Sequence, residues 1–205
     1  MLFRSVPLTD RGRRTRDTLV GAARAVFEVR GYDGTRMSDI AEAAGVSHGT
    51  VYTWFATKET VLMAVVESLV DGLYASLSAP DIADPIGRID MANRRYLDAY
   101  REHARLLEVV EQAATTDETF RAVLTGLRQS HAERVAATIR HLQSDGFARA
   151  DLDPHVAAAA LCAMVEGFAR HWFGRGERHD EDIAVTTLTR LWAGALDLSI
   201  TPRSR

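Results

Sequence analysis

The sequence predicts an all-α fold of about nine helices, on three observations. Apolar residues recur at three- and four-residue spacing along most of the 205-residue chain. No stretch alternates apolar and polar residues as a half-buried strand would. Glycines, prolines and hydroxyl or acidic capping residues fall where one helical pattern gives way to the next.

Leu19, Ala22, Ala23, Val26 and Phe27 form the inner stripe of a first helix from about Thr15 to Arg30, which Gly31 ends. Thr35 is placed to cap a second helix whose inner face is Met37, Ile40, Ala41 and Ala44, and Gly45 stops it. A third helix spans about Ser47 to Phe55, and a fourth begins at Thr57. "APDIADP", with Pro80 and Pro85, separates the fourth helix from a fifth near Ile86–His103. "TTDE" at Thr115–Glu118 reads as a helix start with Thr116 as its cap. "SDGFARADLDP" ends the helix that follows, and "GRGERHDED" separates the last two.

Composition narrows the function classes. Hydrophobic residues make up 46% of the chain, enough for a core, and no run approaches the ~20 apolar residues of a membrane span. The start reads as no signal peptide, and a lone cysteine, Cys162, excludes an internal disulfide framework and fits a reducing cytoplasm. Apolar neighbours around Cys162 predict a buried, unreactive thiol. The net charge of −3 is unevenly spread, because residues 1–60 hold nine Lys+Arg against seven Asp+Glu. Arg4, Arg11, Arg13, Arg14 and Arg16 face only Asp10, so residues 1–14 read as a basic, flexible arm suited to phosphates.

Residues 37–59, "MSDIAEAAGVSHGTVYTWFATKE", meet the demands of a helix-turn-helix. Ala41 keeps the facing helix close, Gly45 makes the turn, and Ile40, Ala44, Val46 and Val51 supply apolar contact. At about 100° per residue, Val51 and Phe55 define the buried side of the third helix, with Gly49 and Thr53 nearly opposite and Thr50 and Tyr52 beside them. His48 falls in the first turn, where a recognition helix meets base edges. A helical glycine costs about 1 kcal/mol against alanine, so Gly49 asks for a close approach by something outside the chain. Ser47, Thr50, Tyr52 and the Trp54 indole can donate to phosphates, and Ser47 can equally serve as the helix cap. Lys58 is the only lysine against twenty-four arginines, and it opens the fourth helix, where its ammonium and free N–H groups can share one phosphate.

"GYDGTRMSDIAEAAGVSHGTVYTWFATKETVL" closely resembles the DNA-binding segment of the TetR family of bacterial transcriptional regulators. The matching residues are Gly31–Tyr32, Thr35, Ile40–Ala41, Gly45–Val46–Ser47, Gly49–Thr50, Tyr52, Phe55 and Lys58. Arg36 stands where that family often has a small hydroxyl residue, and Trp54 where Tyr or His is usual, which leaves the phosphate pattern open. The resemblance implies a DNA-binding domain at residues 15–57 and an effector-binding and dimerisation domain at 58–205. The expected DNA-binding residues are Arg13, Arg14, Thr35, Arg36, Ser47, His48, Gly49, Thr50, Tyr52, Thr53, Trp54 and Lys58.

The apolar helix at Asp153–Phe173 and the last helix, about Asp182–Leu198, lie where similar regulators build a four-helix dimer interface. A two-fold dimer would present two reading heads to a palindromic operator in double-stranded DNA. The helices expected to surround an effector cavity carry Tyr96, Tyr100, Leu107, Phe120, Leu124, Leu127, His131, Phe168 and Trp172, which suggests a small hydrophobic effector. The sequence holds no HExxH, Walker, GxSxG or strand-linked GxGxxG motif, so no catalytic residue, metal or cofactor is expected. The reading is therefore a dimeric, ligand-responsive repressor. Its alternatives are an effector-free architectural protein on DNA and a helical small-molecule-binding module.

Overall fold

A computed structural model describes residues 9–76 and 84–198, and over these the chain is helical without a strand. Eight α-helices follow in order: α1 (Asp10–Arg30), α2 (Met37–Ala43), α3 (His48–Trp54), α4 (Lys58–Ser76), α5 (Pro85–Thr116), α6 (Glu118–Ser144), α7 (Pro154–Ala169) and α8 (Glu181–Leu196). A single π-helical turn, Arg170–Gly174, continues α7.

Several boundaries differ from the sequence-based ones, each for a local reason. Helix α1 begins at Asp10, so Arg11, Arg13 and Arg14 sit on its first turns and not on a flexible arm. The Thr9 hydroxyl accepts the Gly12 N–H at 3.2 Å, and Asp10 places a negative charge at the positive end of the helix. Arg4 lies outside the described residues. Thr35 does not cap α2: it is 2% exposed, and its hydroxyl donates to the Gly31 carbonyl at 2.7 Å. The cap position falls to Arg36, whose N–H donates to Asp39 Oδ2 at 2.8 Å. That bond leads the causes holding the Asp39 carboxyl below its usual range, with Arg30 adding an ion pair at 2.7 Å.

The expected fifth helix does not end near His103 but runs on through Thr116 as one 32-residue helix. Most of "APDIADP" lies outside the described residues, yet Asp84 caps α5 by accepting the Ile86 and Gly87 N–H groups, each at 3.0 Å. Asp117 caps α6 through the Thr119 N–H at 2.7 Å, while the Thr116 hydroxyl turns back to the Ala113 carbonyl. Asp153 and Asp180 cap α7 and α8, and Asp197 closes α8 in the left-handed region at φ 50°.

The chain divides into two compact units. The first comprises residues up to Asp71 together with Arg105–Phe120; the second comprises Gly72–Ala104 and Arg121 onward. Helix α5 thus belongs to both. The first unit buries Leu19, Phe27, Ile40, Val51, Leu62 and Leu106 completely. Arg105 Nε donates to the Glu28 carbonyl at 3.2 Å, tying the second half of α5 to the end of α1. In the second unit, Ala136, Ile139, Ala148, Ala158, Leu161 and Leu196 form a buried cluster from α6, α7, α8 and the α6–α7 loop. Asn93 and Thr189, both buried, are joined by an Nδ2-to-Oγ1 bond of 3.2 Å. Arg94 and Arg101 reach Asp182 and Glu181 of α8 at 3.1 and 2.7 Å.

Candidate nucleic-acid interface

Helix α2 ends at a left-handed glycine, Gly45 at φ 65°, a conformation that is strained for any residue with a side chain. The turn closes through Gly45 N–H to the Glu42 carbonyl at 3.1 Å and Val46 N–H to the Ala41 carbonyl at 3.0 Å. Ala41 is buried, as the close packing of α2 against α3 requires. Ser47 then caps α3, its hydroxyl accepting the Thr50 N–H at 3.2 Å and lying 2.9 Å from the Thr50 hydroxyl. These local bonds fix where α3 starts and which face it buries.

The two faces of α3 are as the spacing predicts. Val51 and the adjoining Phe55 are buried, whereas His48, Gly49, Tyr52 and Thr53 are exposed and Thr50 and Trp54 are half-buried. The His48 and Tyr52 rings meet edge-on at 5.5 Å, which orders two exposed side chains on one surface. The Thr53 hydroxyl spends its proton on the Gly49 carbonyl at 2.9 Å, leaving it an acceptor towards anything outside. Around Gly49 the protein is open. A Cβ there would come no nearer than 3.9 Å to Ser47 Oγ, an ordinary contact, so nothing among the described residues demands glycine.

Of the remaining predicted DNA-binding residues, Arg14 and Arg36 are exposed, Arg13 is exposed and paired with Asp10, and Thr35 is withdrawn into the core. Lys58 is placed differently from the free phosphate ligand expected. Its Nζ donates to the Tyr32 carbonyl at 2.8 Å and stands 4.2 Å from the centre of the Tyr32 ring. Two of its three protons remain for a phosphate. The Tyr32 phenol donates to Glu59 Oε1 at 2.7 Å, and burial together with that carboxylate pushes the phenol well above its ordinary range. Tyr32 also stacks on Phe27 at 6.2 Å and takes the edge of Phe120 at 5.8 Å. It therefore joins α1, the start of α4 and the start of α6 in the first unit. Sequence reasoning treated Tyr32 only as part of a motif; its signal was an aromatic directly after a helix-ending glycine.

The nine residues expected around an effector are scattered. Phe120 is buried against Tyr32, and Leu107 belongs to the same first unit. Tyr100 stacks on Phe173 at 6.2 Å, and burial raises the pKa of Tyr96 beside it. Phe168 and Trp172 pack on each other and on His179, at 4.9 and 5.5 Å. Leu124 and Leu127 are half-buried on α6. The second unit does contain a pocket of about 540 Å³, but of the nine only His131 lines it. Its apolar wall is Ile89, Val135, Ile139, Leu142, Trp192 and Leu196, and its polar residues are Arg88, Asn93, His131, Arg134 and Thr138. Burial, and then Arg134, hold the His131 imidazole below its ordinary range, so it is neutral at pH 7. Cys162 is half-buried, not fully buried, and burial pushes its thiol up to about 11, away from reactivity.

Among the described residues, no helix is long and apolar enough to cross a membrane, and no group of three His, Cys, Asp or Glu is placed to hold a metal. Comparison with known proteins matches residues 19–65 to the model of bacterial regulatory proteins of the tetR family. Residues 85–197 match the C-terminal model of BetI-type transcriptional repressors. The chain is 27% identical to the HTH-type transcriptional regulator TtgR of Pseudomonas putida over 80% of its length and 82% of that protein. It is 26% identical to the transcriptional activator FasR of Mycolicibacterium smegmatis, over 91% of its own length and 85% of that protein. Among solved structures, a TetR-like transcriptional regulator from Rhodococcus sp. superposes with a TM-score of 0.70 at 23% identity, covering 92% of this chain and 98% of that one. An exposed polar face on a helix-turn-helix, a helical bundle in the same chain and family models matching both parts lead to one identification: the chain belongs to the TetR family of helix-turn-helix transcriptional regulators.

Proposed function

We propose that this regulator is a homodimeric, ligand-responsive repressor that works in the bacterial cytoplasm on a palindromic operator. The observation that carries the reading is the outer face of α3. His48, Gly49, Tyr52 and Thr53 are exposed there, and a helical glycine is kept with empty space around it. Such a glycine costs stability and repays it only if a groove wall or phosphate comes close. His48 and Tyr52 are placed to meet base edges, while Ser47, Thr50, Trp54, Arg36 and the spare protons of Lys58 hold phosphates and set register.

Dimerisation is supported by unpartnered apolar surface on both α7 and α8. Val156 and Ile183 are each 68% exposed and Leu191 is 50% exposed, with Ala159, Ala160 and Ala163 exposed between them in sequence. A palindromic operator asks a two-fold dimer to present its two α3 helices about 34–36 Å apart. The match of residues 85–197 to a repressor's C-terminal model supports repression over activation. Effector binding would favour a state whose two heads no longer fit successive major grooves, and operator would then weaken effector binding by the same factor.

Fluorescence anisotropy tests this reading with the duplex upstream of the protein's own gene against a scrambled duplex, over a series of salt concentrations. Tight binding to the first alone, with a steep salt slope, is the expected result. Absence of binding to any genomic duplex in a genome-wide selection would overturn it.

A further inference from the structure

The pocket in the second unit lies among the start of α5, the later turns of α6 and the end of α8, away from the aromatic residues of α7. We propose that this pocket is the effector site and that its ligand is a small amphipathic carboxylate, with an apolar body along Val135, Ile139 and Leu196 and its acid group between Arg88 and Arg134. The proposal rests on the ligand-responsive reading above and specifies its chemistry.

Four features point the same way. A volume of about 540 Å³ is within the range that holds drug-sized molecules. Most of the wall is aliphatic, which suits an alkyl or aryl body. The fixed charges of the lining are two arginines and no carboxylate, although the chain carries 28 Asp+Glu against 25 Lys+Arg. A guanidinium fork matches the plane of a carboxylate and holds it by paired hydrogen bonds. Finally, the lining holds one donor without a protein acceptor. The Trp192 indole N–H is buried and unpaired among the described residues. A small rotation of the indole towards an incoming oxygen would satisfy a donor that the protein leaves unpaired.

A phosphate ester fits less well. The α5 N–H groups of Ile86 and Gly87 are already taken by the Asp84 carboxylate, which would repel a dianion next to Pro85 and Arg88. A single negative charge shared by two arginines faces about half of that repulsion.

Isothermal titration of the DNA-free protein tests the proposal with decanoate and 4-phenylbutyrate, each against its uncharged alcohol, decan-1-ol and 4-phenylbutan-1-ol. The acids are expected to bind about tenfold or more tightly than the alcohols, as charge-assisted bonds should provide. Arg88→Ala and Arg134→Ala should each erase most of that advantage. Val135→Trp, and Ile89→Phe if the first fails to fold by circular dichroism, should abolish binding by filling the space. Equal binding of acid and alcohol, binding of neither acid, or binding that survives the filled pocket would overturn the proposal. Operator binding is measured separately, without ligand. Acid binding without operator binding would therefore defeat the regulator reading alone, and the converse would defeat this site alone.

Discussion

Lys58 reaches the Tyr32 carbonyl across 26 residues of chain, whereas Asn93 reaches Thr189 across 96. That contrast runs through the two units. Around the reading head, helix ends are set by neighbours: Ser47 by Thr50, Arg36 by Asp39, Thr57 by Thr60. In the second unit, Arg94 and Arg101 find acids 88 and 80 residues away. Short-range bonds close small loops at little entropic cost, so α2, the turn and α3 are specified almost independently of the rest. The second unit has local caps as well, but its Asn93–Thr189, Arg94–Asp182 and Arg101–Glu181 bonds form only once α5 and α8 have come together. The helix-turn-helix is therefore specified by its own neighbours, whereas the second unit depends also on bonds between distant helices.

The comparison can be broken at several points. Phe27→Ala removes a fully buried ring that also supports Tyr32, and should cost about 3–5 kcal/mol in urea denaturation. Amide exchange should rise first in α1–α4, and faster exchange in α7 than in α1 would contradict the division into units. Asn93→Ala leaves the Thr189 hydroxyl buried without its donor, at a cost of about 1–3 kcal/mol. In a double-mutant cycle the paired change with Thr189→Val should recover much of that loss; strict additivity would show that the bond couples nothing. Lys58→Met keeps the aliphatic stem but removes the ammonium from the Tyr32 carbonyl and ring, a loss of about 1–2 kcal/mol. The phosphate contact proposed for the same cation predicts that the salt slope of operator binding should also flatten by about one unit.

The same contrast explains what the sequence disclosed. The turn at Gly45, the Ser47 cap, the buried Val51 and Phe55 and the exposed His48 and Tyr52 all follow from spacing within twenty residues, and the structure places them accordingly. The first helix was started at Thr15 because residues 1–14 were read by their charge as an arm, yet Thr9 and Asp10 stabilise a first turn that begins at Asp10. The fifth helix was read too short because "TTDE" drew attention to Thr116, while Asp117 is the residue that caps α6. Lys58 was read for a phosphate contact alone, because nothing local reveals that Tyr32 folds beneath it. The residues expected around an effector lie apart from the observed cavity for a more general reason. Large aromatic residues pack on one another, as Phe120 does on Tyr32 and Trp172 on Phe173, and so they mark filled space. The open space is bordered mainly by aliphatic residues from three helices, whose meeting no local pattern announces.

The most direct test of the reading head is Gly49→Ala, measured twice on the same preparation. With nothing closer than 3.9 Å to the added Cβ, urea denaturation should show unchanged stability or a gain of up to about 1 kcal/mol. Anisotropy on the operator should show affinity falling by about tenfold or more, equivalent to about 1.4 kcal/mol. Stability kept while operator affinity is lost would establish that Gly49 is reserved for DNA. An alanine variant that binds operator as tightly as the parent would contradict the assignment of this face.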